Sequence, residues 1–375
     1  MRIVSVQMRD FRTYTRAEAS LGEGLTVVHG PNGAGKSNLL EALYFGCTGR
    51  SPRTRNDREL VRFGAQAARV VVRLRDGAEP HELSVGFGAL GVDGSSTQVV
   101  KRMAADGAPV ERLLDVESRP LLSVFLPDRL ELLKGPPALR RAHLDQVVAA
   151  IWPSRAATRR EYSRVLAQRN ALLARIRSGR GSQTTLATWD RELAGRALAL
   201  REDRAGAVAM LSAPFAQRAE QLGCSGEVAL EYRPRSRALD EDEFVAELRE
   251  RLPGDLERGF SGHGPHRDEL AILRDGRELR VYGSQGEQRL ALLALLLAER
   301  AVLAGERRRT PLMLLDDVMS ELDGDRRELL SQELRAGGQS VIATTDLAHV
   351  PGASDADVTR LRISPGAILQ EALAA

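Results

Sequence analysis

Lysine is almost missing from this chain: of 54 basic residues only Lys36, Lys101 and Lys134 are not arginine. Arginine abundance is therefore a bias of the whole sequence and says little about nucleic acid by itself. A net charge of +3 and a pI near 9.1 permit such a partner without demanding one. Cysteine is scarce as well. Cys47 and Cys224 stand far apart, which makes neither a disulfide framework nor a zinc motif, so a reducing, cytoplasmic setting is expected. Long apolar runs are absent too. The longest, Leu290 to Ala298, is too short to span a bilayer, and the first residues hold no stretch of signal-peptide type. A membrane protein is thus not expected. What remains is a globular composition, 43% hydrophobic and 28% charged, over 375 residues, enough for two domains or one core with a large insertion.

One of the three lysines sits in Gly30-Pro31-Asn32-Gly33-Ala34-Gly35-Lys36-Ser37, which fits the phosphate-cradling pattern G-x-x-x-x-G-K-[ST]. The flanks fit the pattern too. Leu25 to His29 reads as a buried parallel strand, and Asn38 to Tyr44 as a helix. The glycines let backbone N–H groups turn inward, and the helix N-terminus adds positive potential where β- and γ-phosphates would sit. Lys36 would reach those phosphates, where a compact ammonium fits and a planar guanidinium fork does not. The Ser37 hydroxyl would hold Mg2+.

A phosphate loop needs a carboxylate at the end of a neighbouring strand to complete the metal shell. Leu312-Met313-Leu314-Leu315 runs into Asp316-Asp317. Asp316 is assigned to Mg2+, and Asp317 is the candidate to orient or deprotonate an attacking water. Ser37 and Asp316 lie too far apart for a minimal nucleotide-binding core, so the core must be split. The expected fold is α/β, a P-loop ATPase head with an antiparallel β subdomain and an inserted helical arm. Residues 1–120 and 252–375 are expected to form the head, and 121–251 a mainly helical arm.

Several segments support that plan. Strands are expected at Arg2–Met8, Arg69–Leu74, His81–Val85 and Gln98–Arg102, forming the antiparallel sheet. Long helices are expected from Ser154 to Arg177 and from about Thr184 to Leu222, joined by the breaker Ser178-Gly179-Arg180-Gly181-Ser182 as an antiparallel hairpin. Further on, Asp275-Gly276 between Asp268–Leu273 and Glu278–Val281 signals a β-hairpin. Leu290 to Leu303 is an apolar helix, and Pro311–Leu315 and Ser340–Thr344 are buried strands. Arg155, Arg159, Arg160, Arg164 and Arg175 line the first long helix and read as a solvated face.

Ahead of the acidic strand lies Ser284-Gln285-Gly286-Glu287-Gln288, which resembles the signature motif of ABC-type ATPases. Ser320-Glu321-Leu322-Asp323 resembles their D-loop, and Thr345 stands where such enzymes carry a switch residue. Three further stretches are more specific: Ser261-Gly262-His263-Gly264-Pro265-His266-Arg267-Asp268, Leu132-Leu133-Lys134-Gly135-Pro136 with Arg140-Arg141, and Gln168-Arg169-Asn170-Ala171-Leu172-Leu173. With the phosphate loop they resemble the RecF family of recombination and repair ATPases, over nearly the whole chain. The resemblance implies a head like those of SMC-type proteins, with ATP and Mg2+ held between two copies. One copy would give Gly30 to Asn38, Asp316 and Asp317, and the other Ser284 to Gln288. It further implies an ATP-dependent homodimer on double-stranded and gapped DNA, acting with RecR and RecO to help load RecA.

The pattern is broken in places. Asp317 stands where many ABC enzymes have Glu, which suits slow hydrolysis and a switch. Arg129, in Leu126-Pro127-Asp128-Arg129, interrupts a segment that is acidic in the family, and no glutamine of the Q-loop type is evident. Arg53 and Arg55, in a basic loop, are candidates for DNA phosphate or for sensing nucleotide. His263 and His266 lack the helical spacing and the third ligand of a metal site. Two other readings are weaker. The ATPase subunit of a transporter usually carries Leu-Ser-Gly-Gly-Gln, and a structural SMC clamp needs far longer arms than this chain has.

Overall fold

This computed structural model describes residues 1–90, 98–126 and 130–371. Pro127, Asp128 and Arg129, where the family pattern breaks, lie outside them. The chain divides into two compact units, one of residues 1–128 and 308–375 and the other of 129–307. The expected boundary put residues 252–307 with the head; they group instead with the helices.

The first unit opens with a hairpin, β1 (Arg2–Phe11) and β2 (Tyr14–Ser20), followed by the strand β3 (Leu25–His29) and the helix α1 (Lys36–Thr48). Then come β4 (Ala67–Asp76), β5 (Glu79–Leu90), β6 (Gln98–Ala105), the short β7 (Ala108–Pro109) and β8 (Leu122–Phe125). One antiparallel sheet has the order β2-β1-β4-β5-β6-β7. Its strands alternate between buried and exposed residues, as expected where one face is packed and the other wet.

The second unit starts with α2 (Glu131–Lys134) and α3 (Pro137–Ile151). The long helices α4 (Thr158–Arg177) and α5 (Leu186–Gln221) follow, close to the bounds read from sequence. After β9 (Val228–Arg233), α6 (Glu241–Glu250) and α7 (Leu252–Arg258) comes β10 (Glu269–Arg274), which pairs with β9 and with β11 (Arg277–Glu278). This pairing, and the packing of α9 (Gln285–Arg307) on α3 and α5, draws residues 252–307 into the second unit. The expected hairpin strand Glu278–Val281 is only partly formed. The chain leaves it at Glu278 and winds into α8 (Leu279–Tyr282).

The chain then returns to the first unit with β12 (Leu312–Asp316), α10 (Gly324–Ala336), β13 (Ser340–Thr344), β14 (Thr359–Ser364) and β15 (Ala367–Gln370). The second sheet has the order β15-β14-β3-β13-β12-β8, parallel from β14 to β8. Its central strands β12 and β13 are buried at every residue, as parallel strands covered on both faces are. Helix α1 lies between the sheets. Leu39, Leu40, Leu43 and Phe45 share one core with Val70 and Val72 of β4 and with Leu314 and Val341 of the parallel sheet. The packing is tight: a Cβ at Gly46 would come within 2.4 Å of Val72.

Candidate polyphosphate and metal site

In the parallel sheet β13 separates β3 from β12. The loop after β3, the tip of β13 and the acidic end of β12 therefore emerge at one edge, side by side. This brings together Gly30 to Ser37, Thr345 and the pair Asp316–Asp317.

The loop is built for close backbone approach. Gly30 has φ 148°, and a Cβ there would lie 2.3 Å from the Ile363 carbonyl oxygen on β14. Gly35 has φ 117° and caps α1; a Cβ there would meet the Tyr14 hydroxyl at 2.9 Å. Neither position tolerates another residue. Lys36 folds back over the loop, its Nζ donating to the carbonyls of Gly30 at 2.8 Å and Pro31 at 3.0 Å. Burial draws its ammonium below the usual lysine range, and the Asp316 and Asp317 carboxylates oppose that shift. Asn38, the third residue of α1, donates to Thr13 Oγ1 at 3.0 Å.

Asp316 is 7% exposed, and burial pushes its carboxyl above the usual range, with Asp317 adding to the shift. The nearby Ser37 hydroxyl opposes that rise, as do Arg53 and Lys36. Ser37 and Asp316 are oxygen donors of the kind that suits a hard divalent cation. Asp317 has φ 52°, a strained conformation for a residue with a side chain. Its N–H donates to the Ala343 carbonyl at 3.0 Å, and Ser320 Oγ donates to its carbonyl at 2.9 Å. Its Oδ1 is buried and accepts no hydrogen bond. A buried carboxylate oxygen without a donor is costly, and a metal-bound or attacking water is the partner such an atom fits.

Other expected residues take different places. Asp323 caps α10, its Oδ1 accepting the Arg326 N–H at 3.0 Å, so its carboxylate serves the helix. Arg53 is exposed but tethered. Its Nη1 lies 3.2 Å from Asn38 Oδ1 and 3.3 Å from Glu41 Oε2, against the phosphate-loop helix. Arg55 is exposed.

The signature residues belong to the second unit. Ser284 and Glu287 form a capping box: the Ser284 N–H donates to Glu287 Oε2 at 2.8 Å, and the Glu287 N–H to Ser284 Oγ at 3.3 Å. The first of these bonds holds the Glu287 carboxyl below its usual range. Ser284, Gln285 and Gly286 are exposed at the start of α9. Gln288 departs from expectation. It is 3% exposed, and its Nε2 donates to the carbonyls of Leu279 at 2.9 Å and Gly283 at 3.0 Å. It fixes the turn that presents the motif and is not offered to a ligand.

The more specific motifs assemble inside the second unit. Arg140 donates to the Leu133 and Gly135 carbonyls at the end of α2 and pairs with Glu269 at 2.7 Å. Arg169, fully buried, binds Asp190 at 2.7 Å, Asp255 at 2.9 Å and Ser261 Oγ at 2.6 Å. Asn170 accepts from the Ser261 N–H and hydroxyl. His263 turns to Glu247 at 2.6 Å and His266 to the Tyr162 hydroxyl at 2.6 Å, so the two rings serve separate contacts. Of the arginines on α4 and just before it, Arg155 pairs with Asp203 and Arg159 with Asp145.

Sequence reasoning missed a set of residues bracing the loop. Tyr14 donates to the Gly35 carbonyl at 3.0 Å, Ser51 to Glu41 at 2.6 Å, and Arg12 pairs with Glu41, which is wholly buried on α1. A lone carboxylate one turn after Ser37, in an otherwise apolar helix, was the available signal.

Comparison with known proteins agrees with this geometry. The family model described as "RecF/RecN/SMC N terminal domain" matches residues 2–359. "DNA replication and repair protein RecF" of Heliobacterium modesticaldum is 34% identical, covering 93% of each chain. The protein of the same name from Myxococcus xanthus is 37% identical, covering 98% of this chain and 97% of its own. Among solved structures, "Structure of the recombination mediator protein RecF-ATP in RecFOR pathway" superposes with a TM-score of 0.84 at 26% identity, covering 99% and 98% of the two chains. An SMC head bound to the C-terminal winged-helix domain of ScpA matches at a TM-score of 0.60 and 15% identity, over 100% of this chain and 98% of its own, a likeness of fold alone.

Proposed function

The chain belongs to the RecF family and carries an ABC/SMC-type ATPase head, and from that premise we propose that it is an ATP-switched, DNA-binding repair protein. Gly30 to Asn38 bind the ATP phosphates, with Lys36 on the β- and γ-phosphates. Ser37 and Asp316 hold Mg2+, which when bound neutralises phosphate charge. Asp317 orients and deprotonates the attacking water, and Thr345 at the tip of β13 senses the nucleotide. ATP joins two copies, the second giving Ser284, Gln285 and Gly286. The closed pair holds duplex DNA near single-strand gaps in the cytoplasm and, with RecR and RecO, helps load RecA. Slow, DNA-stimulated hydrolysis resets it.

One observation carries this reading. It is the buried Asp317 Oδ1 without a donor, next to the buried Asp316 carboxyl at the phosphate-loop edge of the parallel sheet, which supports a metal and a water there. Sedimentation of the protein with and without ATP, Mg2+ and gapped duplex tests it. Mass doubling and DNA retention that both require ATP are expected. No ATP-dependent change in mass would overturn the sandwich.

A further inference from the structure

The antiparallel sheet of the first unit has one face packed on α1, through Val70, Val72, Leu83 and Val85, and one face turned to solvent. Its register puts arginine opposite arginine on the wet face. Arg9 of β1 pairs with Arg16 of β2 on one side and with Arg69 of β4 on the other. Arg69 faces Gly86 of β5, and Gly86 faces Arg102 of β6. All four arginines are exposed. Together they make one row across five strands, about 19 Å long at the usual strand spacing of about 4.8 Å.

Directly opposed like charges weaken a sheet, and two rows along the same face Arg73 shows the normal remedy. Arg73 is flanked by Glu18 at 3.6 Å and Glu82 at 3.4 Å. Arg62 has Asp10, and Arg12 and Arg53 share Glu41. The row of Arg9, Arg16, Arg69 and Arg102 has no such acid among the described residues. Gly86 leaves its centre open, since a Cβ there would meet nothing within 4 Å. On the same sheet Arg2 and Arg73 each meet an acid while these four opposed arginines do not, so the general excess of arginine does not by itself account for the row.

We propose that this arginine row is a docking surface for the phosphate backbone of duplex DNA. The row spans about half a helical turn of duplex. Beside the arginines the wet face carries Gln7, Glu18 and Ser84, with Val71 buried among them and no aromatic ring among the described residues, so it offers charge without a stacking platform, as backbone binding requires and single-strand recognition does not. The row also lies close to the β1–β2 turn, where Thr13 meets Asn38 and Tyr14 meets Gly35. This inference rests on the DNA-binding reading above and adds the surface.

The test compares the full-length protein with the variant Arg9→Ala/Arg16→Ala/Arg69→Ala/Arg102→Ala, and with the same four positions changed to Lys. Binding of a fluorescent duplex in the presence of ATP is followed by anisotropy across a salt series. The alanine variant is expected to lose at least about tenfold in affinity, its log–log salt slope falling by about 0.9 per arginine that contacts phosphate. It should still dimerise with ATP and melt no lower than wild type, because repulsion has been removed. The lysine variant should retain duplex binding, and that result stands alone if the alanine variant fails to fold. If wild type binds and the alanine variant keeps the same slope, the row serves another partner and the inference falls. Should wild type itself fail to bind duplex with ATP, the parent reading falls with it.

Discussion

Arg12 grips Glu41 with two prongs, Nε on Oε2 and Nη2 on Oε1, each at 2.8 Å. Glu41 is completely buried on the helix that begins at the phosphate loop, so the turn of the β1–β2 hairpin is clamped to that helix by charge. A buried ion pair gives little net stability, but removing one partner is expensive.

Arg12→Ala should therefore destabilise the protein by roughly 3 kcal/mol, since Ser51 and Arg53 only partly replace the lost donors. Adding Glu41→Gln should recover part of the loss. Thermal melts of the single and double variants decide this; an unchanged midpoint for Arg12→Ala would contradict the clamp.

Lys36→Ala removes the ammonium that reaches over the loop, and ATP binding should weaken by at least about 100-fold, measured with a fluorescent ATP analogue. Dimerisation and ATP-stimulated DNA retention should disappear with it. ATP-dependent DNA binding at wild-type strength in this variant would refute the switch.

Asp317→Asn should slow ATP hydrolysis by about 100-fold or more while leaving ATP binding and closure intact. Asp316 carries a pH signature. Burial raises its folded-state pKa, so the folded protein holds that proton to higher pH than the unfolded chain does. The ionised carboxylate opposes folding, and its cost to stability appears as pH rises from the ordinary carboxylate range through the folded pKa. Mg2+ held by Asp316, as proposed, would compete with the same proton. Mg2+-dependent ATP binding should accordingly fade on acidification at a pH above that of an ordinary aspartate, and Asp316→Asn should abolish this dependence. Titrations of Mg2+ across pH provide the check.

The two ends of the signature should separate cleanly. Ser284→Arg leaves ATP binding by the single copy intact and abolishes ATP-dependent dimerisation in sedimentation. Gln288→Ala instead lowers the melting temperature, because the carbonyls of Leu279 and Gly283 lose their donor. A variant of Ser284 that still dimerises would exclude the sandwich.

The parts of the head legible in the sequence are those with strong local signals. β3, β12 and β13 are continuous apolar runs ended by a glycine, an acid pair or threonines, and the structure has them within a residue of expectation. β2 escaped notice because only Tyr14, Ala17 and Ala19 face inward, and alanine marks a buried face weakly. The boundary at 252 failed for a different reason: β10 belongs with β9 through pairing between distant segments. Gln288 looked like a ligand residue because its motif is read as a unit, whereas helical geometry turns it inward. The arginine row was invisible for the same kind of reason. Alternation tells which residues share a face, and only register tells which stand opposite each other.

The capping box at Ser284 has one further consequence. Its backbone N–H is already satisfied by Glu287, so an arriving phosphate would find an occupied donor and would have to displace a carboxylate from it. Under the proposed reading, recognition there would be an exchange of one anion for another. The helix end would then behave like a spring latch: closed by default on its own side chain and opened only by a better-placed anion.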